Sequence, residues 1–292
     1  MVDTIEFGGA VLCAQQLQLG EGPTYDPATD TAWWFNIKGR ELHQLQLSTG
    51  DKTVHPLPFM ASVLARIDDH RQLIATEDGL FLRETATGLL TFHAALEADK
   101  PDNRSNDGRV HQSGALWVGT MGKSAEDGAG AIYHVSGDTV TTLFPEISIP
   151  NAICFSPDGS IAYFTDSKRG LLMTVNIDPA TGLPVSSPEV LIDPAGAEGD
   201  FDGAVCDANG DIINARWGAG AVDRYDPSGR HLARYLVPAQ QPSCPAFIGK
   251  ALDRLLITTA RDGLGDKATD ADGQTFELGI AVKGRAEPDF KL

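Results

Sequence analysis

Basic residues are scarce: 23 Lys and Arg stand against 40 Asp and Glu in 292 residues, a formal charge of −17. Such a chain lacks the clustered cations that release counterions from nucleic acid, and anionic membrane surfaces are disfavoured for the same reason. A small anionic ligand held by one local arginine stays possible. No Lys or Arg precedes Lys38, so the positive n-region of a secretory signal is missing. No apolar run approaches the roughly 18 residues of a membrane helix. The expectation is a soluble, cytoplasmic protein. Cysteine is rare: Cys13, Cys154, Cys206 and Cys244 are far apart, with no CxxC pair. They read as buried, reduced thiols rather than a zinc site or a disulfide framework. Familiar catalytic motifs are absent as well. The seven histidines show neither HxH nor HExxH spacing, which argues against a His-ligated zinc. There is no Gly-x-Ser-x-Gly elbow for a serine hydrolase and no Gly-x-Gly-x-x-Gly opening a helix.

What is present is repetition. Gly (31) and Pro (17) punctuate short alternating apolar runs, and long amphipathic helical windows are missing. Six segments share one grammar of turn, apolar run, turn, apolar run and turn. With Tyr25, Ile67, Val110, Phe155, Cys206 and Phe247 as landmarks, the spacings are 42, 43, 45, 51 and 41 residues. That matches the roughly 40–50 residues of a four-stranded propeller blade. The fold predicted is all-β: one six-bladed β-propeller over residues 1–292, with four antiparallel strands per blade. Residues 11–18 precede the first landmark and are expected to supply the outer strand of the last blade, which closes the ring.

Polar residues that recur just ahead of the landmarks are candidates to converge on the central channel. Glu21, Asn106, Asn151 and Asp202 each stand four positions before a landmark. All four offer oxygen donors, the ligands that hard dications prefer. Two carboxylates balance a dication, and amide carbonyls add coordination without charge. Each alone also reads as an ordinary turn or cap residue; the shared position is what joins them. His111 reads as an exposed turn residue. Trp217 and Arg216 read as strand-end residues packed between blades, with a channel-mouth role as the alternative.

The residues Leu19-Gly20-Glu21-Gly22-Pro23, Asn103 to Gly108, Trp117-Val118-Gly119-Thr120-Met121, Pro150-Asn151, Ser156-Pro157-Asp158-Gly159 and Asp202-Gly203 together resemble the senescence marker protein / gluconolactonase / luciferin-regenerating (regucalcin-like) family. The resemblance implies one divalent metal in the channel, held by Glu21, Asn151 and Asp202. Calcium leads, with zinc, manganese, magnesium or iron(II) as alternatives. It also implies substrate contacts from Arg104 and Asn106, and a general base at Asp202. Many relatives carry an acid shortly after Gly-Thr-Met, where this chain has Lys123 and Ser124. Asn36 stands where many have Asp and reads as a local structural change.

These readings combine into a metal-dependent sugar-lactone hydrolase, a carboxylic ester hydrolase that opens an aldonolactone to the aldonic acid in bacterial-type sugar catabolism. The expected partner is a small sugar lactone, with no nucleic acid and no membrane. The chain is expected to be a monomer or weak homo-oligomer. The alternatives are a calcium-dependent phosphotriesterase-like propeller and a non-catalytic calcium-binding regulatory propeller.

Overall fold

Turns rich in Gly, Asp and Pro cut the chain into hairpins, and the hairpins stack sideways into six sheets, five of four strands and one of five. The computed structural model describes residues 2–292. The first blade is Gly20–Asp26, Thr31–Asn36, Glu41–Gln46 and Lys52–Pro56, in that order from the axis outward. The inner strands of the next five are Ala61–Arg66, Asn103–Val110, Pro150–Phe155, Asp200–Cys206 and Pro242–Ile248. Each inner strand packs against the next, and the sixth packs against the first. The propeller expected from the repeat is therefore the fold observed.

Ring closure follows the expectation with one addition. Ala10–Cys13 pairs antiparallel with Thr275–Glu277 as the outer strand of the sixth blade. Asp3–Ile5 then runs parallel to His231–Leu236 and gives the fifth blade a fifth strand. The short N-terminal segment thus covers two exposed sheet edges. Among the described residues, no helix is long and apolar enough to cross a membrane.

The buried apolar residues fall into six clusters, one at each blade–blade interface. Trp117 of the third blade meets Phe155 of the fourth edge-on at 5.4 Å between ring centres, and Ile132 and Phe164 fill the same layer. Tyr25 and Trp34 of the first blade pack with Ile248 and Leu256 of the sixth. Truncating one of these fully buried aromatics to Ala costs about 3–5 kcal/mol. His111 departs from the expected exposure. It is fully buried, with its ring edge-on to Phe155 at 5.0 Å and Nε2 3.0 Å from Gly159 O. Its turn lies under the neighbouring blade, a relation that local sequence does not encode.

Residues 278–292 form no strand, yet they tie five blades together. Ala208 donates to Lys283 O at 2.7 Å, and Gly284 donates to Leu252 O at 2.8 Å. Arg285 reaches Cys206 O and Phe155 O. Glu287 pairs with Arg109, and Asp289 pairs with Arg66 at 2.6 Å. Phe290 is 1% exposed in the cluster between the second and third blades. These contacts fall at the C-terminal ends of the inner strands. The strap thus seals one end of the channel and leaves the other end, where the inner strands begin, for a site.

Candidate functional site

Every inner strand carries a β-bulge near its start. The register shifts between Glu21 and Thr24, Ala61 and Val63, Ser105 and Gly108, Asn151 and Cys154, Phe201 and Ala204, and Pro242 and Pro245. A bulge bends the strand and re-aims side chains, here at the same level in all six blades. Gly22 and Gly203 are demanded by this crowding. A Cβ on Gly22, whose φ is +54°, would strike Ser62 O, and one on Gly203 would strike the Cys244 side chain.

The four-residue spacing read from the sequence turns out to span two registers. Asn106 and Asp202 occupy the first bulge position, whereas Glu21 and Asn151 sit one residue earlier, opposite Phe35 and Thr165. Tyr25 and Phe155 are one ladder step nearer the bulge than Val110 and Cys206. Convergence survives because adjacent residues at a bulge are both turned toward the axis. Glu21, Arg104, Asn106, Asn151 and Asp202 all line one cavity of about 360 Å³.

A chain of hydrogen bonds fixes the amides. Ser167 donates to Phe201 O at 2.7 Å, so its hydroxyl accepts from Asn151 Nδ2 at 3.0 Å. That assignment leaves Asn151 Oδ1 as an acceptor. Asn106 Nδ2 donates to it at 2.9 Å and to Pro150 O at 2.9 Å. Arg104 Nη1 in turn donates to Asn106 Oδ1 at 2.7 Å and to Ser105 O at 2.9 Å. Asn151 Oδ1 keeps one lone pair for a ligand. Asn106 has both N–H groups occupied and can offer a ligand only its second Oδ1 lone pair. The Nε and Nη2 edge of Arg104 has no protein acceptor among the described residues, and Arg104 makes no ion pair with Asp102 or Asp107. Three donors in a planar fork are thus left at the cavity. Burial pushes the guanidinium down to about 10, so it stays cationic at neutral pH.

The carboxylates are held against their preference. Glu21 and Asp202 are 8% and 5% exposed, and neither has an ion-pair partner among the described residues. Glu21 accepts only the Gly22 amide, at 3.1 Å. Burial, with the Asp107 charge adding to it, raises Glu21 to about 8. Burial and the Glu21 charge hold Asp202 well above the usual carboxylate range. Two dehydrated acids that repel each other, beside an amide oxygen with a free lone pair, fit a hard dication. Glu21, Asn151 and Asp202 would hold it. Among the described residues, no three His, Cys, Asp or Glu gather as a metal cluster; the donor set here depends on an amide.

Sequence reading missed Lys38, Ser167 and Asp262 among the lining residues; Lys123 was named only for standing where relatives carry an acid, and Trp217 only as an alternative at the channel mouth. Lys123 lines the cavity and pairs with Glu77 at 2.7 Å. Lys38 pairs across the mouth with Asp262 at 2.7 Å. Ser167 carried no motif, and only its hydrogen bonds reveal it. Trp217 lines the mouth and also packs against the cluster of the first and second blades. Arg216 lies over the Phe201 ring at 4.1 Å as a buried structural cation. Asn36 behaves as the expected local change, capping a turn by accepting from Gly39 N and donating to Glu41. All four cysteines are free and buried, as expected.

The SMP-30/Gluconolactonase/LRE-like family model matches residues 19–261. The chain belongs to this family. It is 60% identical, over the full length of both chains, to a Rhizobium meliloti (strain 1021) protein whose name assigns it provisionally as a sugar lactone lactonase. It is 36% identical to the L-arabinolactonase of Azospirillum brasilense, over 90% of this chain and 91% of that one. Among solved structures it resembles a calcium-binding protein, regucalcin, from Agrobacterium tumefaciens str. C58. That match has a TM-score of 0.98 and 61% identity, with 100% of both chains covered. The family expected from the motifs is thus the family found, and a lactone-hydrolysing ester hydrolase agrees with the names of these relatives.

Proposed function

We propose that the protein is a divalent-metal-dependent sugar lactonase that opens an aldonolactone to the aldonic acid. The observation that carries this reading is the coexistence, in one cavity, of two buried unpaired carboxylates and an arginine whose donor fork has no protein partner. The metal half draws further support from the calcium-binding relative, so calcium is the ion proposed. The chemistry such a dication supplies is Lewis-acid polarisation of the lactone carbonyl. Asp202 takes a proton from the water that attacks the carbonyl carbon. The acyl–oxygen bond of the ring breaks, and the ring oxygen leaves as a hydroxyl after receiving the proton that Asp202 took from the water. Arg104 orients lactone oxygens and holds the carboxylate that forms. Asn106 keeps Asn151 and Arg104 in place. No covalent enzyme intermediate is needed.

Reduced buried thiols and the absence of disulfides suit a cytoplasmic role in sugar catabolism. The test is pH-stat hydrolysis of five- and six-membered aldonolactones with metal-depleted and metal-restored protein. Metal-dependent acid release supports the reading. Tight calcium binding without turnover on any lactone would favour a regulatory propeller, and turnover confined to phosphotriesters would favour that class.

A further inference from the structure

Three cations line the cavity of a chain with net charge −17: Lys38 from the first blade, and Arg104 and Lys123 from the third. Arg104 has the role given above. Lys38 is neutralised by Asp262 at 2.7 Å. Lys123 differs. Its carboxylate partner, Glu77, also forms an ion pair with Arg40 Nη2 at 3.5 Å and accepts from Met60 N at 2.8 Å. One carboxylate thus faces two cations; Arg40 is half-exposed and lies outside the cavity lining, so Lys123 is the one of the two that meets a ligand. Without Lys123, Glu77 Oε1 would keep Met60 N and Arg40 while Oε2 would lose its partner, so the lysine supports a buried carboxylate as well as facing the cavity. An ammonium has three N–H donors and no acceptor. Glu77 Oε2 at 2.7 Å and Pro101 O at 2.8 Å take two of them, leaving one for a ligand. With a dication balancing Glu21 and Asp202, the cations left to face a ligand are Arg104 and Lys123; the Asp107 charge behind the two carboxylates is opposed by Arg109, and Asp200 is the remaining acid of the lining. Asp200 is exposed and its charge is screened by solvent.

We infer that Lys123 is a specificity-determining residue, and that the cavity prefers lactones bearing a second, anionic group away from the reacting carbonyl. The substrate class is then the lactone of a sugar diacid rather than that of a neutral aldonic acid. This inference rests on the lactonase reading. A donor-only cation discriminates best against a group that cannot return the charge, and a hydroxymethyl group is bound less well there than a carboxylate.

The test compares two lactones that differ only in carboxylate against hydroxymethyl at the far carbon: the 1,4-lactone of a hexaric acid and that of the matching hexonic acid. Wild type should favour the acidic lactone by at least about tenfold in kcat/KM. Lys123→Met should erase most of that preference by raising KM for the acidic lactone far more than for the neutral one, and Lys123→Arg should keep the preference. Added salt should shrink it. Equal loss on both lactones, or a wild-type preference for the neutral one, overturns the inference. A wild type that opens neither lactone would instead overturn the lactonase reading. Calorimetric binding of the two open acids then decides the inference alone. Tighter hexarate binding that Lys123→Met abolishes supports it, and equal binding of hexarate and hexonate sinks it.

Discussion

Asn106 Nδ2 donates to Asn151 Oδ1 at 2.9 Å, and this bond links the inner strand of the third blade to that of the fourth at the level of the site. It orients the only neutral member of the proposed ligand set. The family resemblance assigns Asn106 to the substrate, yet its hydrogen bonds make it first a support for Asn151. Asn106→Ala should therefore weaken calcium binding by about tenfold or more, the usual consequence of losing a partner behind a ligand. Calcium titration of metal-depleted protein checks it. Unchanged affinity with impaired lactone turnover would return Asn106 to a purely substrate-facing role.

The Glu21–Asp202 repulsion predicts a reversal of stability order. Without metal, Asp202→Asn removes a dehydrated charge beside another acid, and its Tm should equal or exceed wild type. With saturating calcium the wild type gains from ligand binding and the variant gains less, so the order should invert. Turnover should fall far more than KM rises, because Asp202 acts on the water in the transition state. Melting curves with chelator and with calcium, together with metal content, provide the check. A variant less stable than wild type in chelator would show that Asp202 is not strained in the metal-free fold. Near-normal kcat at full metal occupancy would remove it as the base.

Six blades were legible because turn grammar is local and recurs with each blade. Glu21, Asn106, Asn151 and Asp202 were legible because carboxylate and amide side chains recurred near the start of four of the six repeats. Their registers were not, since a bulge inserts residues that spacing alone cannot place. Lys123 and Ser167 were invisible as partners because Glu77 and Phe201 come from other blades. The strap of residues 278–292 carries no periodic pattern, and its anchors, Glu287 and Phe290, are defined only by the five blades they cross. His111 was misplaced for the same reason: its burial depends on Gly159, 48 positions along the chain.

Arg104→Lys tests the donor fork. Lysine keeps the charge and loses the planar set of donors. The expected result is a drop of at least about tenfold in kcat/KM, or about 1.4 kcal/mol of transition-state binding. Tm and calcium content should stay near wild type, since Arg104 bonds only to Asn106 and the Ser105 carbonyl. Equal activity, or loss of folding, would make Arg104 structural.

His111 sets an acid limit on stability that is independent of the metal. Gly159 O can only accept and Ser113 N–H can only donate, so Nε2 carries the proton and Nδ1 is bare, with Nε2 at 3.0 Å and Nδ1 at 3.1 Å from these partners. The ring is neutral, and a second proton on Nδ1 of this fully buried side chain would have to displace the Ser113 amide and turn to Ser113 Oγ, 2.9 Å away. Burial, with His134 and Arg285 nearby, holds its pKa below the ordinary 6.5. Burial also lowers His43, and burial with the Arg83 charge lowers His55. The sign follows from linkage. Between the depressed folded values and about 6.5 the unfolded chain binds more protons, so stability is complete above about pH 6.5 and falls as pH drops through that window. His111→Gln removes the titrating ring and retains a donor for Gly159. It should lower stability by about 1 kcal/mol at pH 8 through lost packing and imperfect hydrogen bonding. Its denaturation free energy should then decline less steeply than wild type on moving from about pH 7 toward 5.5. Urea unfolding at several pH values, with chelator present throughout, measures both quantities. Parallel curves for the two proteins would mean that His111 titrates alike in the folded and unfolded chains, and the assigned tautomer would then have no energetic consequence.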